Sequence, residues 1–146
     1  MADLNTHDFA FPVIIEDSGE CDYIARIAGF DEVLTGGDTP EAALAEAAYA
    51  LEEAVLSRLA QGREVPVPEA AQAGQATVLL PPLTAGRVLI DRKRRQEGWS
   101  KIDLARHIAK DEKVARRILD GHGSISMKTV LDALSALGFA TTLSWR

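Results

Sequence analysis

Residues 23–55 read YIARIAGFDEVLTGGDTPEAALAEAAYALEEAV. In the first of them, Tyr23, Ala25 and Ile27 alternate with other residues, the period of an extended chain with one apolar side. A third short strand is expected around EVLT (32–35), ending at Gly36-Gly37. The periodicity then becomes helical. Thr39 is placed to cap a helix, Pro40 suits its first position, Glu41 favours its positive end, and Gly62 stops it. Leu44, Ala48, Leu51, Val55 and Leu59 fall along one side of that helix. Upstream, FAFPVIIED (9–17) puts Phe9, Phe11, Val13 and Ile15 on one side of a further strand, and Asp17-Ser18-Gly19 supplies turn chemistry toward residues 21–27. Pro12 has no N–H to donate, so its strand is expected to have a free edge nearby. A helix laid on three or four such strands makes a small α+β layer.

Beyond this layer, GREVPVPEAAQAGQATVLLPPL (62–83) holds four of the chain's six prolines among small residues, which suits a linker, with ATVLL (76–80) as a possible added strand. Short helical segments follow. TAGRVLIDRKRRQEG (84–98) turns Val88 and Leu89 inward, spreads Arg92, Lys93, Arg94 and Arg95 round the outside and ends at Gly98. SKIDLARHIAKDEKVARRILDG (100–121) reads as two helices joined by a tight turn. Ser100 caps the first of them, with Asp103 three residues on in a near capping box, and Ile102, Leu104, Ala105 and Ile108 form its apolar side. The second begins near Asp111, buries Ala115 and Ile118 with Val114 or Leu119, and stops at Gly121. Ser126 caps a last helix, MKTVLDALSALG (127–138), with Val130, Leu131, Leu134 and Leu137 inward. The expected division is residues 1–70, a linker at 71–83, and residues 84–146.

Charge divides the same way. Residues 1–86 carry 3 Lys/Arg against 15 Asp/Glu, and residues 87–146 carry 13 against 7. The total of −6 therefore hides one acidic and one basic module. With a Debye length of roughly 8 Å, a nucleic-acid backbone meeting the basic module is little affected by the distant acidic one. No run of eighteen apolar residues and no secretory-type start is present, which argues against a membrane role and for the cytoplasm. Cys21 is the only cysteine, so neither an internal disulfide nor a thiolate zinc site can form within one chain.

The stretch from Tyr23 to Val55 resembles the N-terminal domain of HicB antitoxins, whose pattern is a Tyr-x-Ala strand, a Pro-Asp-rich turn and Gly-x-Thr-x-Glu-Glu-Ala opening a helix. The resemblance runs from about Phe11 to Val67. Here Ala28-Gly29 stands where Pro-Asp is usual, and Ala42 takes one Glu position. What the resemblance implies is a partial ribonuclease-H-like β-β-β-α-β module, without a catalytic metal cluster, that binds and masks a small RNA-cleaving toxin of the HicA family. The helices behind it resemble the lambda-repressor-like helix–turn–helix class, through Leu104-Ala105, a turn, and a helix closing at Asp120-Gly121. Ala109 stands where that turn often has glycine, so the bend is expected to take another backbone path or to use Lys110. Carried over by position, Glu112, Lys113, Arg116 and Arg117 face the DNA groove, and Ser100 and Lys101 lie near phosphates. A merely solvated helix face is the plainer alternative for these side chains.

Glu16, Asp17, Glu20, Asp22, Asp31, Glu32 and Asp38 are numerous enough to raise a nuclease reading, but they cluster at turns and strand ends, where solvated acids belong. His7 sits in a polar start and Cys21 has no activating neighbour in sequence. No catalytic residue, metal or cofactor is therefore assigned. The toxin-binding residues are not singled out within the acidic module. The tail FATTLSWR (139–146) alternates like a strand with no mate in a helical module, which suggests pairing with a second copy, hence a homodimer or tetramer. The expectation is an antitoxin that sequesters a HicA-like toxin and binds operator DNA. A repressor whose N-terminal module senses a small ligand is the alternative.

Overall fold

The computed structural model describes residues 9–20 and 22–142; His7, Cys21 and the last four residues of the tail lie outside the described residues. The chain is mixed α+β, with an antiparallel sheet at its N-terminal end followed by several helices. Its described residues form two compact units, residues 9–55 with 65–81 and residues 56–64 with 82–142.

In the first unit, β1 (Ala10–Asp17), β2 (Tyr23–Ile27), β3 (Phe30–Gly37) and β4 (Thr77–Leu79) form one sheet in the order β3-β2-β1-β4. The β1–β2 turn uses the expected side chains: the Asp17 carboxylate accepts from Gly19 N at 2.8 Å, and Ser18 donates to the Asp22 carbonyl. β1 pairs with β2 from Val13 to Asp17 and with β4 from Ala10 to Pro12. Val13 N donates to Ala76 O on the β4 side, so the nitrogen of Pro12 faces the opposite side, where the β2 ladder has already ended at Val13–Ile27. The proline thus removes no ladder bond, and the free edge its sequence implied is a local one. Within the segment expected as a linker, the possible added strand at ATVLL is present as β4, while Pro82-Leu83 already lie in a helix.

The helix α1 (Pro40–Ala60) is capped by Thr39, whose Oγ1 accepts from Ala42 N at 3.1 Å. Its buried positions in this unit are Ala43, Ala47, Leu51, Ala54 and Val55. Leu44 and Ala48, expected at the centre of the buried side, are only half-buried. The reason is close approach at the strand end, where a side chain on Gly37 would lie 2.6 Å from Ala43 N, so small residues take the positions nearest the sheet. Phe11 and Phe30 pack edge-to-face at 5.5 Å between ring centroids in the same core, with Val13, Ala25, Ile27 and Val33.

The second unit contains the end of α1 and four helices: α2 (Pro82–Gln96), α3 (Lys101–His107), α4 (Glu112–Leu119) and α5 (Met127–Ala136). Its core is Val88, Leu89, Ile90, Leu104, Ala105, Ile108, Ala115, Ile118, Leu119, Val130, Ala133 and Leu134. Ile102, expected inside, is 47% exposed. Phe139–Thr142 form no strand. Instead Phe139 N donates to Leu134 O and Gly138 N to Ser135 O, closing α5 with a Schellman motif, and among the described residues of the helical unit there is no strand to pair with them.

Candidate nucleic-acid and partner interfaces

The pair α3–α4 is built from local signals. Ser100 caps α3: its Oγ accepts from Asp103 N at 3.1 Å while the Asp103 carboxylate accepts from Ser100 N at 2.9 Å, a complete capping box. Those hydrogen bonds hold the Asp103 carboxyl below the usual carboxylate range, the backbone one contributing most. Asp111 caps α4, accepting from Val114 N at 2.9 Å. Between the helices Ala109 has φ +54°, with Ala109 N donating to Arg106 O and Lys110 N to Ala105 O. The same pair of bonds closes α1, α2 and α5 at Gly62, Gly98 and Gly138. The turn therefore does not take another path: Ala109 itself enters the left-handed region that glycine occupies at the other three ends, at a cost of about 1–2 kcal/mol for a residue with a Cβ.

Burial of Ala115, Ile118 and Leu119 turns the other side of α4 outward. Lys113, Arg116 and Arg117 are exposed there, and Glu112 is partly exposed. Arg116 is tied to Glu112 through both Nε and Nη2. Such an exposed pair is worth only about 0–1 kcal/mol, so a phosphate or base edge can displace it. Lys113 and Arg117 form no ion pair among the described residues. Arg117 borders a cavity of about 390 Å³ together with Val114, Ser124, Ile125, Ser126 and Thr129. Ser100 and Lys101 are exposed at the start of α3.

Behind this surface stands a network on α2 that the sequence reading passed over. Arg87, 4% exposed, donates from Nη1 to Asp120 O at 2.6 Å and from Nη2 to Gly123 O. Burial lowers its pKa, and the Asp120 charge offsets this in part. Asp91, 5% exposed, accepts from Arg94 Nη2 at 2.9 Å and from Arg95 Nε at 2.8 Å. Arg94 also donates to Trp99 O and Arg95 to Gly62 O. These two arginines are internal ties rather than part of a freely solvated basic face. The i+3 and i+4 spacing of Arg94 and Arg95 from Asp91 was the available signal. Trp99 stacks on His107 at 3.7 Å between centroids, joining the entry of α3 to its exit.

In the sheet unit, Glu16, Asp17, Glu20, Asp22, Asp31, Glu32 and Asp38 are all exposed. Among the described residues no three acidic, His or Cys side chains converge as a metal-holding group. The described part of this unit has 12 Asp/Glu and one basic residue, Arg26. Sequence comparison bears on what such a surface is for. Residues 10–89 match a family described as HicB_like antitoxin of bacterial toxin-antitoxin system.

The chain belongs to this HicB-like antitoxin family.

Two curated relatives extend the likeness over most of its length. The chain is 34% identical over 128 residues to Antitoxin HicB 2 of Photorhabdus laumondii subsp. laumondii, covering 88% of this chain and 90% of the relative. It is 31% identical over 134 residues to Antitoxin HicB 1 of the same organism, covering 92% and 85%. As a HicB-like antitoxin it is a component of a toxin–antitoxin system. Among its described residues no helix is long and apolar enough to cross a membrane.

Proposed function

We propose that this antitoxin neutralises a HicA-like mRNA-cleaving toxin by direct binding through its acidic sheet unit and represses its own operon through α3 and α4. The observation that carries the reading is the match between charge and architecture. The acidic residues gather on the unit whose sequence resembles the toxin-binding domain, while the helical unit holds 14 Lys/Arg against 8 Asp/Glu in its described part. Negative potential on the first steers a basic, RNA-binding partner toward it and competes with RNA phosphates. In the second, α3 and α4 act as a helix–turn–helix, with Lys113, Arg116, Arg117 and Glu112 toward the major groove and Ser100 and Lys101 at phosphates. A partial ribonuclease-H-like fold used for binding rather than catalysis, a working division into residues 1–70 and 84–146, a homodimer or tetramer and a cytoplasmic setting complete the proposal.

The test has two arms. The chain is co-expressed with the toxin encoded beside it and the complex isolated, and the purified chain is titrated against DNA from upstream of the operon. A stable complex that loses RNA-cleaving activity, together with a retarded operator fragment, is the expected result. A chain that leaves the toxin active overturns the first half, and equal affinity for operator and random DNA overturns the second.

A further inference from the structure

In the sheet unit β1 is paired on its β4 side for only half of its length. The ladder with β4 covers Ala10–Pro12 and closes with Val13 N donating to Ala76 O. The chain then turns away, with Gly74 at φ +78° and Gln75 N donating to Gln72 O. Backbone groups alternate in direction along an antiparallel strand, so those of Ile15 and Asp17 point the same way as those of Val13. No residue of β4 stands opposite them. Beside this open half-edge runs a groove of about 680 Å³, lined by Pro12, Ile14 and Ala28 on one side and by Glu69, Ala70 and residues 72–76 on the other. Ile14 is 44% exposed in it. Glu69 stands on the wall, Glu16 and Asp17 follow at the open end of β1, and among the described residues no Lys or Arg lines it.

An unpaired strand edge beside an apolar floor is the geometry that accepts an added strand, whose main chain supplies hydrogen bonds and whose alternate side chains supply selectivity. Charge selects the occupant. A second copy would bring its own acidic sheet unit against this one, whereas a basic chain meets complementary charge. We infer that the open half-edge of β1 receives an extended, basic segment of the toxin as an added strand, with an apolar residue beside Ile14 and Lys or Arg side chains toward Glu16, Asp17 and Glu69. The inference rests on the antitoxin reading and supplies its mode of docking.

Hydrogen exchange at the amides of Ile15 and Asp17 tests it in the full chain, alone and in complex with the toxin encoded beside it. Binding should slow both amides by about tenfold or more. In parallel, Ile15→Pro removes the donor on the open side and leaves the β1–β2 ladder, which uses residues 14 and 16, in place; it should weaken toxin binding by roughly fivefold to tenfold with operator binding unchanged. A complex that forms while both amides exchange as in the free chain overturns the inference and leaves the antitoxin reading standing. Protection that rises with the chain's own concentration, without toxin, assigns the edge to a second copy and also overturns it. If no complex forms at all, the antitoxin reading fails, and this inference fails with it.

Discussion

Arg87 of α2 donates to the backbone carbonyl of Asp120, 33 residues further along the chain, at the point where α4 ends. Its second guanidinium nitrogen donates to Gly123 O, so one buried side chain sets where the candidate recognition helix stops and how the chain leaves it. Replacing Arg87 with Met retains much of the packing volume and leaves two carbonyls without their charged donor. The expected loss is roughly 2–4 kcal/mol of unfolding free energy, measured by chemical denaturation. A variant as stable as the parent would show that water satisfies these carbonyls equally well.

Ala109 holds a left-handed backbone conformation without being glycine. Ala109→Gly relieves the Cβ strain but gives the unfolded chain more freedom, which returns part of the gain. A net stabilisation of about 0.5–1 kcal/mol is expected, seen as a higher denaturation midpoint with an unchanged slope. Destabilisation would mean that the turn carries no strain at this residue.

Asp91 gathers two arginines that are themselves tied to Trp99 O and Gly62 O. Asp91→Ala should destabilise the chain by roughly 1–3 kcal/mol, less than for a fully buried pair because Arg94 and Arg95 can both reach water. A double-mutant cycle with Arg94→Ala should show coupling, since the two side chains share hydrogen bonds.

Acid should loosen α3. The Asp103 carboxyl is held below its ordinary value of 3.8 by hydrogen bonds from the Ser100 backbone and side chain. A depressed folded-state pKa contributes stability that is fully present above the unfolded value and is lost as pH falls through the folded one. Glu97 and Asp132, hydrogen-bonded by Lys93 and Lys128, shift in the same direction. Stability should therefore fall as the pH drops below about 4, and Asp103→Asn, already without the carboxylate, should show a shallower decline. Equal slopes would remove the capping box from the cause.

If the proposed operator binding holds, replacing Arg117 and Lys101 separates base reading from phosphate anchoring. Arg117→Ala should cost roughly 1–3 kcal/mol per half-site on the operator and much less on random DNA. Lys101→Ala should weaken both DNAs alike and reduce the salt slope by about one counterion. Isotherms on both DNAs at two salt concentrations check this; operator binding by Arg117→Ala equal to the parent would return that position to the plain solvated face.

Much of this architecture is local and was legible in the residues themselves. Thr39, Ser100, Asp111 and Ser126 each accept from a backbone N–H three residues on, so their caps depend on nothing outside one helical turn. The exposure of Lys113, Arg116 and Arg117 likewise follows from the 3.6-residue period once Ala115 and Ile118 are turned inward. Tertiary structure decided what depends on contact between distant segments. It set which side of α1 is buried, because the approach of Gly37 favours alanines over Leu44. It left Ile102 outside, and it withdrew Arg87 from the surface because α2 packs where α4 ends and the Arg87 guanidinium must meet the carbonyls there. It also ended β4 after three residues, leaving Ile15 and Asp17 paired with β2 but with no β4 residue on their other side. Periodicity fixes the direction of a side chain about its own element, but burial and hydrogen-bond partners belong to the neighbour, which the sequence places only through the whole fold.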